Sequence, residues 1–83
     1  MQPGASVKTY VEVGARFTPD GKLFPLWITW TDGRRYEIDR VLRTERAASR
    51  KAGGVGILYT CLVRGRRVHL YYEENYRWFV EAA

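Results

Sequence analysis

Alternation of apolar and polar residues is the feature of this sequence that most limits the structures it can adopt. Between Val7 and Phe17 the odd positions hold valine, threonine, alanine or phenylalanine, and the charged residues stand at even positions. Such a period of two indicates a β-strand with one buried face, because successive side chains of a strand point to opposite sides. The same period returns over residues 57–63 and 68–72. The chain is therefore predicted to be mainly β.

Two Asp-Gly pairs separate the first three predicted strands. Asp20-Gly21 suits a two-residue type I′ turn, and pairing the strands about it sets Val13 opposite Ile28. Asp32-Gly33 cannot form the same turn, because the buried face of the next strand would be turned outward. We expect a three-residue loop there, residues 31–33, with its glycine in the left-handed conformation.

The alternation changes again in the middle of the chain. After Ile38 it slips by one position, which predicts a bulge or a sharp bend near Asp39–Arg40. Residues 44–52 break the alternation and contain good helix formers, with Thr44 placed to cap a helix and Gly53 placed to end one. We therefore predict a short helix or loop insert over residues 44–52.

The last three strands are predicted from their connections. An even-length loop over residues 64–67 pairs Val63 with Val68 and Cys61 with Leu70, which keeps four apolar residues on one face. A three-residue turn over residues 74–76 then returns the chain to a final strand.

These elements predict one small β domain spanning residues 1–83, with residues 1–6 and 82–83 frayed. Six short antiparallel strands form a meander that we expect to close into an SH3-like or OB-like barrel or roll with one short helical insert. The proportions of hydrophobic residues (46%) and charged residues (28%) are those of a globular chain rather than a disordered one.

Several kinds of chemistry are excluded by the residues that the chain lacks. Cys61 and His69 are its single cysteine and single histidine, so one chain contains neither a disulfide nor a zinc site of the usual composition. Strand alternation places Cys61 in the core and His69 outside, which argues against a thiolate–imidazole pair. We expect no enzymatic activity, cofactor or metal. No leader or membrane segment is visible, and we expect a cytoplasmic protein.

The basic residues are concentrated in the middle of the chain. The net charge is +5, and residues 34–67 contain ten basic residues against three acidic ones. A basic block of this kind favours an anionic partner, and arginine suits phosphate groups, so we expect a nucleic-acid-binding module. The predicted phosphate contacts are Arg43, Arg46, Arg50, Lys51, Arg64, Arg66 and Arg67, and Tyr71 and Phe79 are candidates for base stacking.

Two other interpretations of these residues remain open. An arginine-rich surface that is solvated and neutralised by counterions would have the same composition. The outward face of the later strands also carries apolar side chains, from Leu58 and Leu62 to Tyr71 and Phe79. Such a face is covered by the insert, by a second copy of the chain or by a protein partner. A protein-interaction or self-associating module is therefore the alternative function.

Parts of the chain resemble a group of small bacterial β-rich proteins of uncharacterised function. The resemblance lies in the segments 30–42, 51–56, 59–61 and 78–80, which begin with Trp30-Thr-Asp-Gly-Arg-Arg-Tyr36. It implies a bacterial, cytoplasmic origin. It implies no activity and no site residues.

Overall fold

The computed structural model describes residues 7–49, 54–73 and 75–82. These residues form one antiparallel sheet of seven strands that curls into a half-barrel, with no helix in the part described. The sheet order is β3-β2-β1-β7-β6-β5-β4. The strands are β1 (Val7–Phe17), β2 (Leu23–Thr29), β3 (Arg35–Glu37), β4 (Arg40–Ser49), β5 (Gly54–Val63), β6 (Arg66–Tyr72) and β7 (Trp78–Ala82). The mainly β prediction is confirmed.

The predicted helical insert is wrong. Residues 44–49 continue strand β4, where Thr44 lies opposite Tyr59 and Arg46 lies opposite Ile57 of β5. A helix of two turns is marginal by itself, and pairing with a neighbouring strand satisfies the same backbone groups. The remaining residues of the predicted insert, 50–52, lie outside the described residues.

The chain crosses from one edge of the sheet to the other at Ile38 and Asp39. The backbone N–H of Ile38 donates to the carbonyl of Leu26 on β2 (3.0 Å), and that of Asp39 donates to the carbonyl of Leu62 on β5 (2.8 Å). One predicted strand is therefore two, β3 and β4, which pair with opposite ends of the sheet. The predicted irregularity near residues 39–40 is this crossing, and a bulge at Leu42 follows it.

The first two hairpins differ in how well the sequence predicts them. The loop that ends at Gly33 has three residues as expected, with Gly33 at φ 89°. The predicted two-residue turn at Asp20-Gly21 is wrong, because the first turn has three residues, 19–21. Pro19 favours the start of a type I turn, and Gly21 takes the left-handed position at φ 85°. A bulge between Gly14 and Ala15 offsets this change, so that Val13 still lies opposite Ile28.

The later hairpins keep the predicted faces but not every predicted pair. A two-residue turn, Arg64-Gly65, places Cys61 opposite Val68 rather than Leu70. This shift of two positions leaves each side chain on its predicted face. The three-residue connection over residues 74–76 is confirmed, with the N–H of Glu73 donating to the carbonyl of Arg77 (2.9 Å).

The hydrophobic core fills the concave side of the half-barrel. Its buried side chains come from four strands: Ile28, Tyr59, Cys61, Val63, Leu70 and Trp78. Strand β7 also pairs with β1, where Val11 lies opposite Trp78, and this pairing brings the two ends of the chain together. Local alternation does not encode that long-range contact.

Candidate functional site

Four exposed arginines lie close together where β4, β5 and β6 meet. Arg40 and Arg67 both lie opposite Leu62, one on each neighbouring strand. Arg66 lies opposite Val63 on the other face, and Arg64 occupies the intervening turn. The arginine cluster is defined here as Arg40, Arg64, Arg66 and Arg67.

The arginine cluster has little compensating negative charge. Within residues 7–49, 54–73 and 75–82, none of its guanidinium groups has a carboxylate within 4.0 Å. Asp39 lies nearby, but its Oδ2 atom accepts the backbone N–H of Arg64 (2.9 Å). Exposed like charges on adjacent positions repel one another unless an anion neutralises them. The cluster is therefore suited to an anionic partner.

The other predicted phosphate contacts are separated from this cluster. Arg43 forms an ion pair with Glu45, with 3.0 Å between Nη2 and Oε1. Arg46 lies opposite Ile57, which is five positions from Leu62 and thus roughly 17 Å along the strand. It also lies on the opposite face of β4 from Arg43. The predicted contacts Arg50 and Lys51 lie outside the described residues.

A groove opens on the concave side beside the β5–β6 turn. Its volume is about 580 Å³. Aliphatic side chains from β2, β5, β6 and β7 form its floor, Trp30 and Tyr36 supply aromatic rings, and Arg64 and Arg66 bring positive charge. The Cζ atom of Arg64 lies 5.4 Å from the centroid of the Tyr36 ring. The groove thus joins an apolar surface to half of the arginine cluster.

Sequence reasoning missed three residues of this region. Trp30 and Tyr36 have the alternation of core residues, yet both are only half-buried because they flank the loop between β2 and β3, where the concave side opens. The signal available in the sequence was the position of Trp30, an aromatic residue directly before the loop of residues 31–33. Arg40 belongs to the basic block, but only the strand pairing shows that it lies level with Arg67, on the other side of Leu62.

The two predicted stacking residues are packed within the protein. Tyr71 and Phe79 stack on each other with centroids 4.9 Å apart, and Phe79 is 1% exposed. The ring of Tyr10 packs edge-on against Phe79 at 5.7 Å, and Lys8 Nζ lies 4.9 Å from the Phe79 centroid. Neither Tyr71 nor Phe79 therefore presents an open ring face to a base.

A second opening of about 430 Å³ lies at the other end of the concave side. Its lining includes Lys22 directly before β2, Phe24 near the start of β2 and Thr44 from β4. Lys22 Nζ lies 3.9 Å from a carboxylate oxygen of Asp20. Among the described residues, the lining of this opening contains no arginine, and its single cation, Lys22, is close to a carboxylate.

The cysteine and the histidine do not form a reactive pair. Cys61 is fully buried, and burial raises the pKa of its thiol to about 11. His69 lies opposite Thr60 on the outward face. In the described part of the chain, no group of three or more His, Cys, Asp or Glu side chains is placed to hold a metal ion. The same part contains no helix that is long and apolar enough to cross a membrane.

Comparison of the chain with protein-family models, with curated proteins and with solved structures finds no match.

Proposed function

We propose that this chain is a non-enzymatic small β-barrel module, SH3-like or OB-like, that binds nucleic acid through phosphate contacts. The observation that carries the proposal is the arginine cluster: four exposed arginines at one end of β4, β5 and β6, with no carboxylate partner among the described residues. The proposed setting is the bacterial cytoplasm, where nucleic acids are accessible.

The chemistry of the side chains supports this choice of partner. A guanidinium group offers five N–H donors in a planar arrangement that matches two phosphate oxygens at once. Binding of several phosphates also releases the counterions condensed on the nucleic acid, which favours association. Arg40 lies on β4, Arg66 and Arg67 lie on opposite faces of β6, and Arg64 lies in the turn between β5 and β6, so all four are at the same end of the sheet.

A binding assay with matched charge changes tests the proposal. We expect Arg66→Gln with Arg67→Gln to weaken binding of a fluorescent oligonucleotide by tenfold or more at low salt, since each charge-assisted hydrogen bond contributes about 1.5–3 kcal/mol. The control is Arg16→Gln with Lys22→Gln, which removes the same charge near the β1–β2 turn. That turn lies at the far end of β2 from Trp30, roughly 24 Å away. Equal loss in both variants, or no binding by the unmodified protein, would refute the site.

The alternative function, self-association or protein binding through the outward face, is favoured less by the arrangement of its residues. Tyr71 and Phe79 are buried, and Leu58 and Leu62 are half-buried. Few large side chains are therefore left there for a partner. A molecular mass that rises with concentration, together with no nucleic-acid binding, would favour this alternative.

A further inference from the structure

We propose that the groove beside the β5–β6 turn holds an unpaired base of single-stranded nucleic acid. The base stacks on an aromatic ring of the groove, Trp30 above all, while Arg64 and Arg66 contact the adjoining phosphates. This inference rests on the proposed function and adds to it a preference for single strands.

The size and lining of the groove fit a flat aromatic ligand. A volume of about 580 Å³ lies within the roughly 300–1,000 Å³ range of small-molecule sites. Its floor is aliphatic, and the half-buried rings of Trp30 and Tyr36 leave aromatic surface open to a ligand. Every nucleobase has a π face that stacks on such rings. The bases of a duplex are already stacked and paired, so a single strand is the better occupant.

The charge of the lining argues for a base that carries phosphate. Arg64 and Arg66 line the groove, and no carboxylate-bearing residue does so among the described residues. A wholly apolar ligand would gain nothing from these two guanidinium groups. Arg64 already lies beside the Tyr36 ring, at 5.4 Å from its centroid, where it can contact both a stacked base and its phosphate.

The other two tryptophans are not placed to stack with a ligand. Trp78 is 8% exposed and belongs to the core. The indole of Trp27 packs closely over Gly14, and the Arg35 Cζ atom lies 4.3 Å from its centroid. Trp30 is therefore the tryptophan whose fluorescence a bound base would change.

Three fluorescent probes of equal length, about ten nucleotides, separate base stacking from phosphate contact: oligothymidylate, an abasic strand with the same phosphates, and a duplex. We expect the unmodified protein to bind oligothymidylate about 5- to 150-fold more tightly than the abasic strand, the range that one stacked base would produce. Binding of oligothymidylate, but not of the abasic strand, should quench tryptophan fluorescence. The duplex, whose bases are already stacked and paired, should not quench tryptophan fluorescence.

Two variants assign the effect to the groove. Trp30→Leu keeps apolar bulk and should reduce the affinity for oligothymidylate to that for the abasic strand, with the abasic affinity unchanged. Tyr76→Leu, at a ring that is 91% exposed on the β6–β7 turn, should change neither. If Trp30→Leu does not fold, the comparison of oligothymidylate with the abasic strand in the unmodified protein still decides the question.

The outcomes distinguish this inference from the proposed function. Equal affinity for oligothymidylate and the abasic strand, with both dependent on Arg66 and Arg67, would overturn base binding and leave phosphate binding in place. A lack of binding to all three probes would overturn both proposals.

Discussion

The hydroxyl of Tyr59 donates a hydrogen bond of 2.6 Å to the backbone carbonyl of Leu23. Tyr59 lies on β5 and Leu23 begins β2, two strands that are not neighbours in the sheet. The bond therefore spans the concave interior and connects the two halves of the curled sheet. The Tyr59 ring, 1% exposed, also fills the core beside Trp78, with centroids 5.6 Å apart.

Replacing Tyr59 with phenylalanine should remove this link and leave the ring in place. We expect a loss of about 1 kcal/mol in the free energy of unfolding, the typical net contribution of one hydrogen bond. Denaturant titration measures the loss. Tyr76→Phe, at the exposed β6–β7 turn, is the matched control and should leave the stability unchanged.

Alkaline pH should destabilise the protein through two buried acids. Burial raises the pKa of Tyr59 from 10.0 to about 12 and that of Cys61 from 9.0 to about 11. Because the unfolded chain releases these protons first, the stabilising contribution is complete below about pH 9 and is lost as pH rises to 12. Unfolding midpoints measured across this range should fall, and they should fall less for Cys61→Ala. A flat profile up to pH 12 would contradict the burial of both groups.

Gly14 should tolerate no larger side chain while Trp27 is present. A Cβ atom at Gly14 would overlap the indole ring of Trp27, its partner across the β1–β2 pair. We expect Gly14→Ala to cost about 1–3 kcal/mol of stability, the usual penalty for overpacking. The same change made in a Trp27→Ala background should cost much less, and a double-mutant cycle measures this coupling. Additive effects would show that the two residues are not in contact.

Acid should weaken the attachment of β1 through Glu73. Burial disfavours the charged form of its carboxylate, but hydrogen bonds from Lys8 (3.1 Å) and Tyr10 (3.0 Å) outweigh that effect and lower the pKa of Glu73 below 4.5. This stabilisation is present above about pH 4.5 and is lost as pH falls through the lowered pKa. We expect Glu73→Gln to be less stable than the unmodified protein at neutral pH, with a difference that shrinks in acid. Glu12→Gln, at an exposed position of β1, is the control and should leave the stability at neutral pH close to that of the unmodified protein.

Side-chain alternation predicts which face of each strand is buried, and this is why Ile28, Cys61 and Leu70 were placed correctly. It does not determine strand partners or turn lengths. Pro19 lengthens the first turn, and a bulge in the β1–β2 pair restores the register. The helix propensity of residues 44–49 is overridden by pairing with β5, an effect of tertiary structure that local sequence does not contain.

The candidate site was harder to predict for the same reason. Phe79 points outward as predicted, but the pairing of β1 with β7 brings Tyr10 opposite it and covers its ring. Trp30 lines the groove on the concave side, because the half-barrel is open at that end. The three-dimensional arrangement therefore makes Trp30, rather than Phe79, the candidate stacking residue.

The dependence of nucleic-acid affinity on salt tests the central claim most directly. If all four arginines of the cluster contact phosphates of a single strand, log K should fall linearly with log salt with a slope of about −2.8, or about −0.7 per contact. Arg66→Gln with Arg67→Gln should flatten the slope by about 1.4, and Arg16→Gln with Lys22→Gln should leave it unchanged. A slope that is unaffected by the first pair, or flattened equally by both pairs, would contradict the assignment of phosphate binding to the arginine cluster.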